Sequence, residues 1–510
     1  MSYIAPNTII KLLNDCPLDN TYDHTIYFSS LSSQQTYFEG LAKYTFSDTS
    51  YQRVNKSRMR LQICADDIYD CNYLMFQNTS FGTKWFYAFI TSVEYVSNVV
   101  SEIEYEIDVM QTWFFNYEMG QCFVEREHTV TDVIGEHIEP EGIEIGEYIF
   151  NTYSDVSSTI KPLAVYMMIV DEKKEPDGTL YDGVYGGCTL YAFNSNDIDG
   201  IKFWLNTYIQ KPESILGMYM GPVIASGGPI DDGGTRIAYS SSGTKVTGSV
   251  SALTGTEPLD GYIPKNKKLY TFPYNFFHID NSSGDELSLR YEFFSGLQPK
   301  WEINVPVIYP IECVLRPTNY KGSGEETLNC ESIVLGDYPM CSWSSDTFKI
   351  WLANNALPIA NSFFGGVASA IATRGASGIG SIVSSITSVL QSGYYSSIQA
   401  DISKGKLSGG NGNVSAGTQC FYGGRCSITA EYARVIDDYF NMFGYSVKRC
   451  KVPNRNARPH WNYVKTIGCT ITGSVPSQDT NKICSIYNNG ITFWNHGNEI
   501  GNYFLDNSPV

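Results

Sequence analysis

Glu102-Ile103-Glu104-Tyr105-Glu106-Ile107-Asp108-Val109 alternates acid and apolar at every step. A period of two sends successive side chains to opposite faces of a strand. Ile103, Tyr105, Ile107 and Val109 are therefore expected against a core. Glu102, Glu104, Glu106 and Asp108 are expected as a carboxylate row on the other face. Upstream, Lys84-Trp85-Phe86-Tyr87-Ala88-Phe89-Ile90 is a run of strand formers, and Ser97-Asn98 between the two runs reads as a turn. The pair predicts a β-hairpin. Its acid row has two readings: a solvated strand face, or the wall of a channel where acid keeps passing DNA from sticking.

Composition extends the β reading to the whole chain. At 510 residues the protein is too long for one ordinary domain. Hydrophobic residues make up 43%, enough for real cores, and the 14% aromatic content with 37 Tyr favours strands over helix bundles. The fold class is mainly β with some α (α+β), multidomain. The formal net charge of −18 against 35 Lys plus Arg repels free nucleic acid over most of the surface and excludes a sequence-reading nucleic-acid binder. The first residues, Met1 to Asp15, lack the basic stretch and apolar core of a signal peptide. The 13 Cys, scattered from Cys16 to Cys484, contain no CxxC and no zinc-ligand spacing. They read as thiols kept reduced by folding in a cytoplasm; no metal and no cofactor is implied.

Four regions follow from shifts in pattern. Residues 1–150 are β-rich. Residues 151–345 form an inserted β- and loop-rich middle, with Leu163–Val170 as a buried strand, Leu287–Phe294 alternating again, and Gly-, Ser- and Asp-rich turns between them. Residues 346–425 hold a long apolar segment with a Gly/Ser-rich flank, and residues 426–510 regain order. In that last region Ile428, Tyr432, Val435, Ile436, Tyr439, Phe440 and Phe443 recur at three- and four-residue steps, which predicts an amphipathic helix stopped near Gly444.

The apolar segment is the most unusual. There is no formal charge from Leu352 to Thr373, nor from Gly375 to Ala400, and only Arg374 lies between. A helix of about 20 uncharged residues spans roughly the 30 Å of a bilayer core. The two arms read as a helical hairpin carrying Phe363, Phe364, Val367, Ile371, Ile379, Ile382, Val383, Ile386, Val389 and Leu390 among small residues. Ala368, Ala372, Ala376, Gly380, Ser384, Ser388 and Ser392 repeat every fourth position, a spacing that lets helices approach closely in lipid. A releasable membrane-active loop, a buried helical pair and a flexible linker all remain open.

Beyond the amphipathic helix, Lys448, Arg449, Lys451, Arg455 and Arg458 stand in a stretch without acid. Such a basic arm pairs with an acidic neighbour or contacts DNA phosphate. Catalytic constellations are poor. Gly375-x-x-Gly378-x-Gly380 lies inside the apolar segment, Gly405-Lys406 continues into Leu407, and the six His are spread singly without HExxH. Acidic pairs abound among the 53 Asp plus Glu, which leaves carboxylate catalysis open although nothing points at one pair, and the expectation is that the chain is not an enzyme.

Several motifs carry a resemblance. Tyr73-Leu74-Met75-Phe76-Gln77-Asn78, the segment Gly82–Phe89, the segment Glu106–Phe114 and Val124-Glu125-Arg126-Glu127-His128 lie toward the start. Phe443-Gly444-Tyr445, Lys448-Arg449, Pro453-Asn454, Asn462-Tyr463-Val464, the segment Asn489–Trp494 and Ile500-Gly501-Asn502-Tyr503 lie toward the end. In that order they resemble the distal tail tube, or tail knob, proteins of small short-tailed bacteriophages of the picovirus (podovirus) type. The resemblance implies a homohexameric tube closing the distal end of a short tail, with both terminal regions building the tube. It also implies an apolar loop from each copy that blocks the lumen, then emerges and forms a pore in the host membrane during genome ejection. Residues 352–400 sit where that loop belongs, and are shorter than in the best-known members. The implied partners are further copies in a ring, upper-tail or collar proteins, phage DNA passing without sequence reading, and the host cell membrane. The implied location is the distal tail of the virion, after assembly in the host cytoplasm. A receptor-binding tail adhesin and a tail-associated cell-wall hydrolase are the alternatives.

Overall fold

The computed structural model describes residues 7–49, 57–79, 82–157, 160, 163–170, 188–194, 197–207, 215–223, 233–237, 244–281, 284–306, 311–321, 331–336, 338, 340–342, 406–408 and 420–509. They form two units. The first comprises residues 1–146, 262–269 and 430–510, and the second residues 147–261 and 270–429.

In the first unit, the expected hairpin is present as the strands Phe86–Ser97 and Val100–Ile107, turning at Asn98 and Val99. It belongs to a six-stranded sheet in the order Ala42–Thr49, Thr8–Asn14, Cys71–Asn78, Phe86–Ser97, Val100–Ile107, Arg58–Leu61. The central strand Cys71–Asn78 is buried on both faces, so it reads as a continuous apolar run. Tyr73 and Met75 enter one core with Leu13, Tyr87 and Phe89. Leu74 and Phe76 enter another with Ile10, Leu12, Ala88, Ile103 and Tyr105. Burying Phe and Tyr at this density stabilises by about 1.5–3 kcal/mol per fully buried large side chain.

A second sheet of the same unit joins the two ends of the chain. Its order is His24–Ile26, Ile491–Trp494, Trp461–Ile467, Cys122–Glu127, Tyr445–Lys451. His24–Ile26 runs parallel to Ile491–Trp494, and Cys122–Glu127 lies between two C-terminal strands. The first core accordingly mixes Phe38, Phe89 and Trp113 with Ile483, Tyr487 and Phe493.

The amphipathic helix runs from Ala430 to Phe443 and buries Ala433, Ile436, Asp437 and Phe440. Two sequence expectations are corrected here. Ile428 belongs to the preceding strand Tyr422–Ile428, and Val435 is 66% exposed on the outer face. The helix stops as expected at Gly444, whose N–H donates to Phe440 O and whose φ is 66°. A Cβ there would lie 2.2 Å from Glu127 O, so the site needs glycine twice over.

The second unit is inserted between Gly146 and Ala430, and its entrance and exit strands meet. Tyr148–Phe150 pairs antiparallel with Tyr422–Ile428, in a sheet continued by Asn275–Asp280 and Glu286–Leu289. The expected alternation over Leu287–Phe294 ends early: the strand stops at Leu289 and Tyr291–Phe293 is a 3-10 turn. A six-stranded sheet has the order Thr235–Ile237, Cys188–Asn194, Leu163–Val170, Ile215–Pro222, Met340–Ser342, Lys406–Ser408. Leu163–Val170 is its buried interior strand, where Tyr166 stacks on Tyr219 at 5.2 Å. A four-stranded sheet, Thr244–Ser249, Lys300–Val305, Cys313–Pro317, Ile333–Leu335, completes the unit.

One short stretch of the middle sequence, residues 262–269, belongs to the first unit. Asp437 holds it. Its carboxylate accepts from Tyr262 Oη at 2.7 Å, from the backbone N–H groups of Lys265 and Asn266 at 2.8 and 3.0 Å, and from Asn266 Nδ2 at 2.8 Å. Lys268 follows, buried, bonded to Glu141 and to Glu139 O at 2.8 Å, with Arg126 on the second carboxylate oxygen of Glu141.

Candidate functional site

The acid row begins as expected and then departs from it. Glu102, Glu104 and Glu106 share the strand face opposite Ile103 and Tyr105, and Glu106 lies directly across from Phe89. Each has a cation. Arg58 Nη1 reaches Glu102 at 2.9 Å and Arg60 Nε reaches it at 2.7 Å. These contacts, Arg60 first, hold the Glu102 carboxyl below its ordinary range. Arg58 also approaches Glu104 at 3.5 Å and Glu94 at 3.6 Å, while Lys482 holds Glu106 at 2.5 Å. Partial burial acts to raise Glu106, and the Lys482 contact outweighs it to leave that carboxyl lowered. The row is thus the acidic side of a cross-strand ladder, with Arg58 and Arg60 on the sheet's outermost strand.

Asp108 leaves the row. It is 2% exposed and caps the short helix Val109–Trp113, accepting from Met110 N at 2.9 Å and Gln111 N at 3.1 Å. Tyr73 Oη donates to its other oxygen at 2.8 Å. Burial pushes the carboxyl up to about 6 despite these donors. The strand period ends at Ile107, so the alternation cannot be carried one residue further. Asp108-x-x-Gln111 is a helix-start pattern, and it was the signal available in the sequence.

The basic arm also divides. Lys448 and Arg449 are exposed, on the outermost strand Tyr445–Lys451. Lys451 pairs with the buried carboxylate of Glu127 at 2.5 Å, and Asn454 N donates to the other oxygen at 2.9 Å. Arg455 turns inward over Phe114 and Tyr117, with ring centroids at 5.3 and 5.7 Å. Arg458 is 5% exposed, its Nε donating to Thr129 O at 2.7 Å and its Nη1 to Asn507 O at 3.3 Å. Arg458 is therefore enclosed by the fold, and Arg455 is half-buried against the two rings. Their burial was hidden in the sequence because nothing local marks an arginine whose partners lie far along the chain.

Phe363, Phe364, Val367, Ile371, Ile379, Ile382, Val383, Ile386, Val389 and Leu390 lie outside the described residues. The roots of their segment are described. Met340–Ser342 and Lys406–Ser408 pair antiparallel at the margin of a sheet, Met340 opposite Ser408 and Ser342 opposite Lys406. The two described strands that flank this segment in sequence are thus neighbours in the sheet. Among the described residues no helix is long and apolar enough to cross a membrane, and no three His, Cys, Asp or Glu side chains are grouped to hold a metal.

Comparison with known proteins places this architecture. Residues 6–118 match the family described as the caudoviral major tail protein N-terminus, so the first unit's opening block is that of a phage tail protein. Residues 238–508, more than half of the chain, match the C-terminal domain of the tail knob protein gp9 of Bacillus phage phi29. The chain belongs to this tail knob family. It is 26% identical to the phi29 tail knob protein gp9 over 99% of this chain and 100% of that protein, and 23% identical to its counterpart in Bacillus phage B103 at the same coverage. The solved tail knob protein gp12 of bacteriophage C1 superposes with a TM-score of 0.67 at 14% identity, covering 98% of this chain and 99% of that one, which shows a shared fold.

Proposed function

We propose that this tail knob protein is a structural and non-catalytic component at the distal tail of a short-tailed phage virion. Six copies form a ring through which DNA passes without being read. The segment 352–400 is the membrane-penetrating part, released from the ring during genome ejection to make a pore in the host cell membrane. Assembly takes place in the host cytoplasm, and upper-tail or collar proteins bind the proximal side.

The paired strands at the root of that segment carry the reading. A long uncharged stretch anchored at both ends by neighbouring strands can change its surroundings without disturbing the sheet that holds it. An acidic chain that leaves two uncharged arms in water associates through them, which favours an assembly that shelters them. Net charge of the same sign as DNA favours passage without adhesion.

Native mass spectrometry of the purified protein, combined with dye release from liposomes, tests this. The expected results are a six-copy assembly and leakage on triggering. A well-folded monomer that releases no dye under any trigger overturns the reading.

A further inference from the structure

We propose that Cys469 and Cys484 are a modification site, a thiol pair that closes to a disulfide when the folded protein meets a low-molecular-weight disulfide oxidant.

Geometry places the two together. Cys469 follows the strand Trp461–Ile467, and Cys484 stands on the helix Ser477–Asn489. The backbone N–H of Cys469 donates to Asn488 Oδ1 at 3.1 Å, and Thr466 Oγ1 donates to the same oxygen at 3.0 Å. Asn488 is one helical turn beyond Cys484, so both residues lie on the helix face that meets Cys469. Both cysteines pack in the same part of the first unit's core, Cys469 buried within it and Cys484 half-buried against it. One thiol is thus within reach of a small oxidant and the other waits behind it.

The exchange balances. The Cys484 thiolate attacks one sulfur of the oxidant; the oxidant's S–S bond breaks, and one thiolate leaves and takes up a proton. Cys469 then attacks the Cys484 sulfur of the mixed disulfide, whose bond to the oxidant breaks. The second thiolate departs with the proton that Cys469 gives up. Two protein thiols lose two electrons, and one small disulfide becomes two thiols. Burial, then the adjacent Cys484 sulfur, raises the Cys469 thiol far above its ordinary value. The closing step is therefore slow, which suits a lock set after folding in a particle that persists in an oxidising medium. The bridge ties the helix that supplies Ile483, Ile486 and Tyr487 to the sheet beneath it.

Cys122, buried beside Cys469, supplies the control. Purified protein is incubated with oxidised glutathione over several days, alkylated and mapped without reduction. The expected result is a Cys469–Cys484 cross-linked peptide, the loss of two alkylatable thiols, and a rise of several degrees in Tm that reductant reverses. Cys484→Ser, a half-buried and nearly isosteric change, should abolish link and Tm rise, whereas Cys122→Ser should keep both. Full alkylation of Cys469 and Cys484 after denaturation, or a link from Cys469 to Cys122, overturns the proposal.

Discussion

Tyr73 donates its hydroxyl to Asp108 across 2.8 Å inside the first core, and joins the central strand of the large sheet to the cap of the helix Val109–Trp113. Two backbone N–H groups fill the other oxygen of the same carboxylate. A buried group so fully bonded fixes where the strand ends and the helix begins.

The first prediction concerns pH. Burial holds the Asp108 carboxyl at about 6 in the folded protein, above its ordinary 3.8. The folded state therefore binds the proton more tightly than the unfolded chain, and this group's contribution declines as pH rises from about 4 to about 6. A shift of two units corresponds to about 3 kcal/mol. Asp108→Asn keeps the cap and carries no charge, so its stability relative to the native protein should improve by up to that amount between pH 4 and pH 7. Chemical denaturation of both proteins at the two pH values measures it. A difference that does not change with pH refutes the assignment. Asp108→Ala, which removes the cap, should destabilise at both values by about 0.5–2 kcal/mol.

The second concerns the ladder. Glu102→Lys removes the partner of both Arg58 and Arg60 and sets three cations side by side. Tm should fall, and the fall should shrink in 1 M salt, because about 3 Å of screening length remains there. Glu104→Lys leaves the closest pairs intact and should fold. If the row also faces the path of DNA, Glu104→Lys should slow genome release at low salt, since an added lysine holds phosphate. Release kinetics unchanged at low salt place the row on an outer surface.

A third prediction tests the stretch 262–269. Asp437→Ala leaves the backbone N–H groups of Lys265 and Asn266 and the Tyr262 hydroxyl without their acceptor. Leaving a buried donor without its acceptor costs about 1–3 kcal/mol per group. Limited proteolysis should then cut near residues 262–269 well before the global transition. Glu431→Ala on the same helix serves as control and should leave the cleavage pattern unchanged.

What the sequence made legible follows the range of the interactions involved. The hairpin from Phe86 to Ile107, the buried strand Leu163–Val170 and the helix stop at Gly444 rest on local patterns, and the structure has all three. The turn of Asp108 is marked locally by its helix-start pattern, whereas the inward turns of Arg455 and Arg458 depend on partners far along the chain, such as Tyr117 and Asn507, that no local period encodes. The same holds for residues 262–269, whose place in the first unit is decided by a carboxylate at position 437. Three of the basic arm's five cations, Lys451, Arg455 and Arg458, have partners within the fold, while Lys448 and Arg449 stay exposed.

The last prediction addresses the segment 352–400. Deleting residues 356–398 should leave the protein folded and unable to perforate membranes. Folding should survive because Met340–Ser342 and Lys406–Ser408 are neighbours, so the shortened connection joins strand ends that already lie together. Closure entropy also changes by only about 0.6 kcal/mol per doubling of loop length, and a shorter loop moves it in the favourable direction. Perforation should fail because no other stretch of the sequence runs 20 residues without a formal charge, about the length a helix needs to cross a bilayer. A milder variant combines Ile382→Asp with Ile386→Asp, one helical turn apart in the second uncharged arm. Each carboxylate costs about 2.5–3.5 kcal/mol at a helix centre in lipid, so a pair in every copy of a ring should stop insertion. Circular dichroism and native mass check that both variants keep the fold and assembly of the native protein. Dye release from liposomes then decides. Leakage equal to that of the intact protein from a folded deletion variant assigns the segment to core or linker and removes the membrane role.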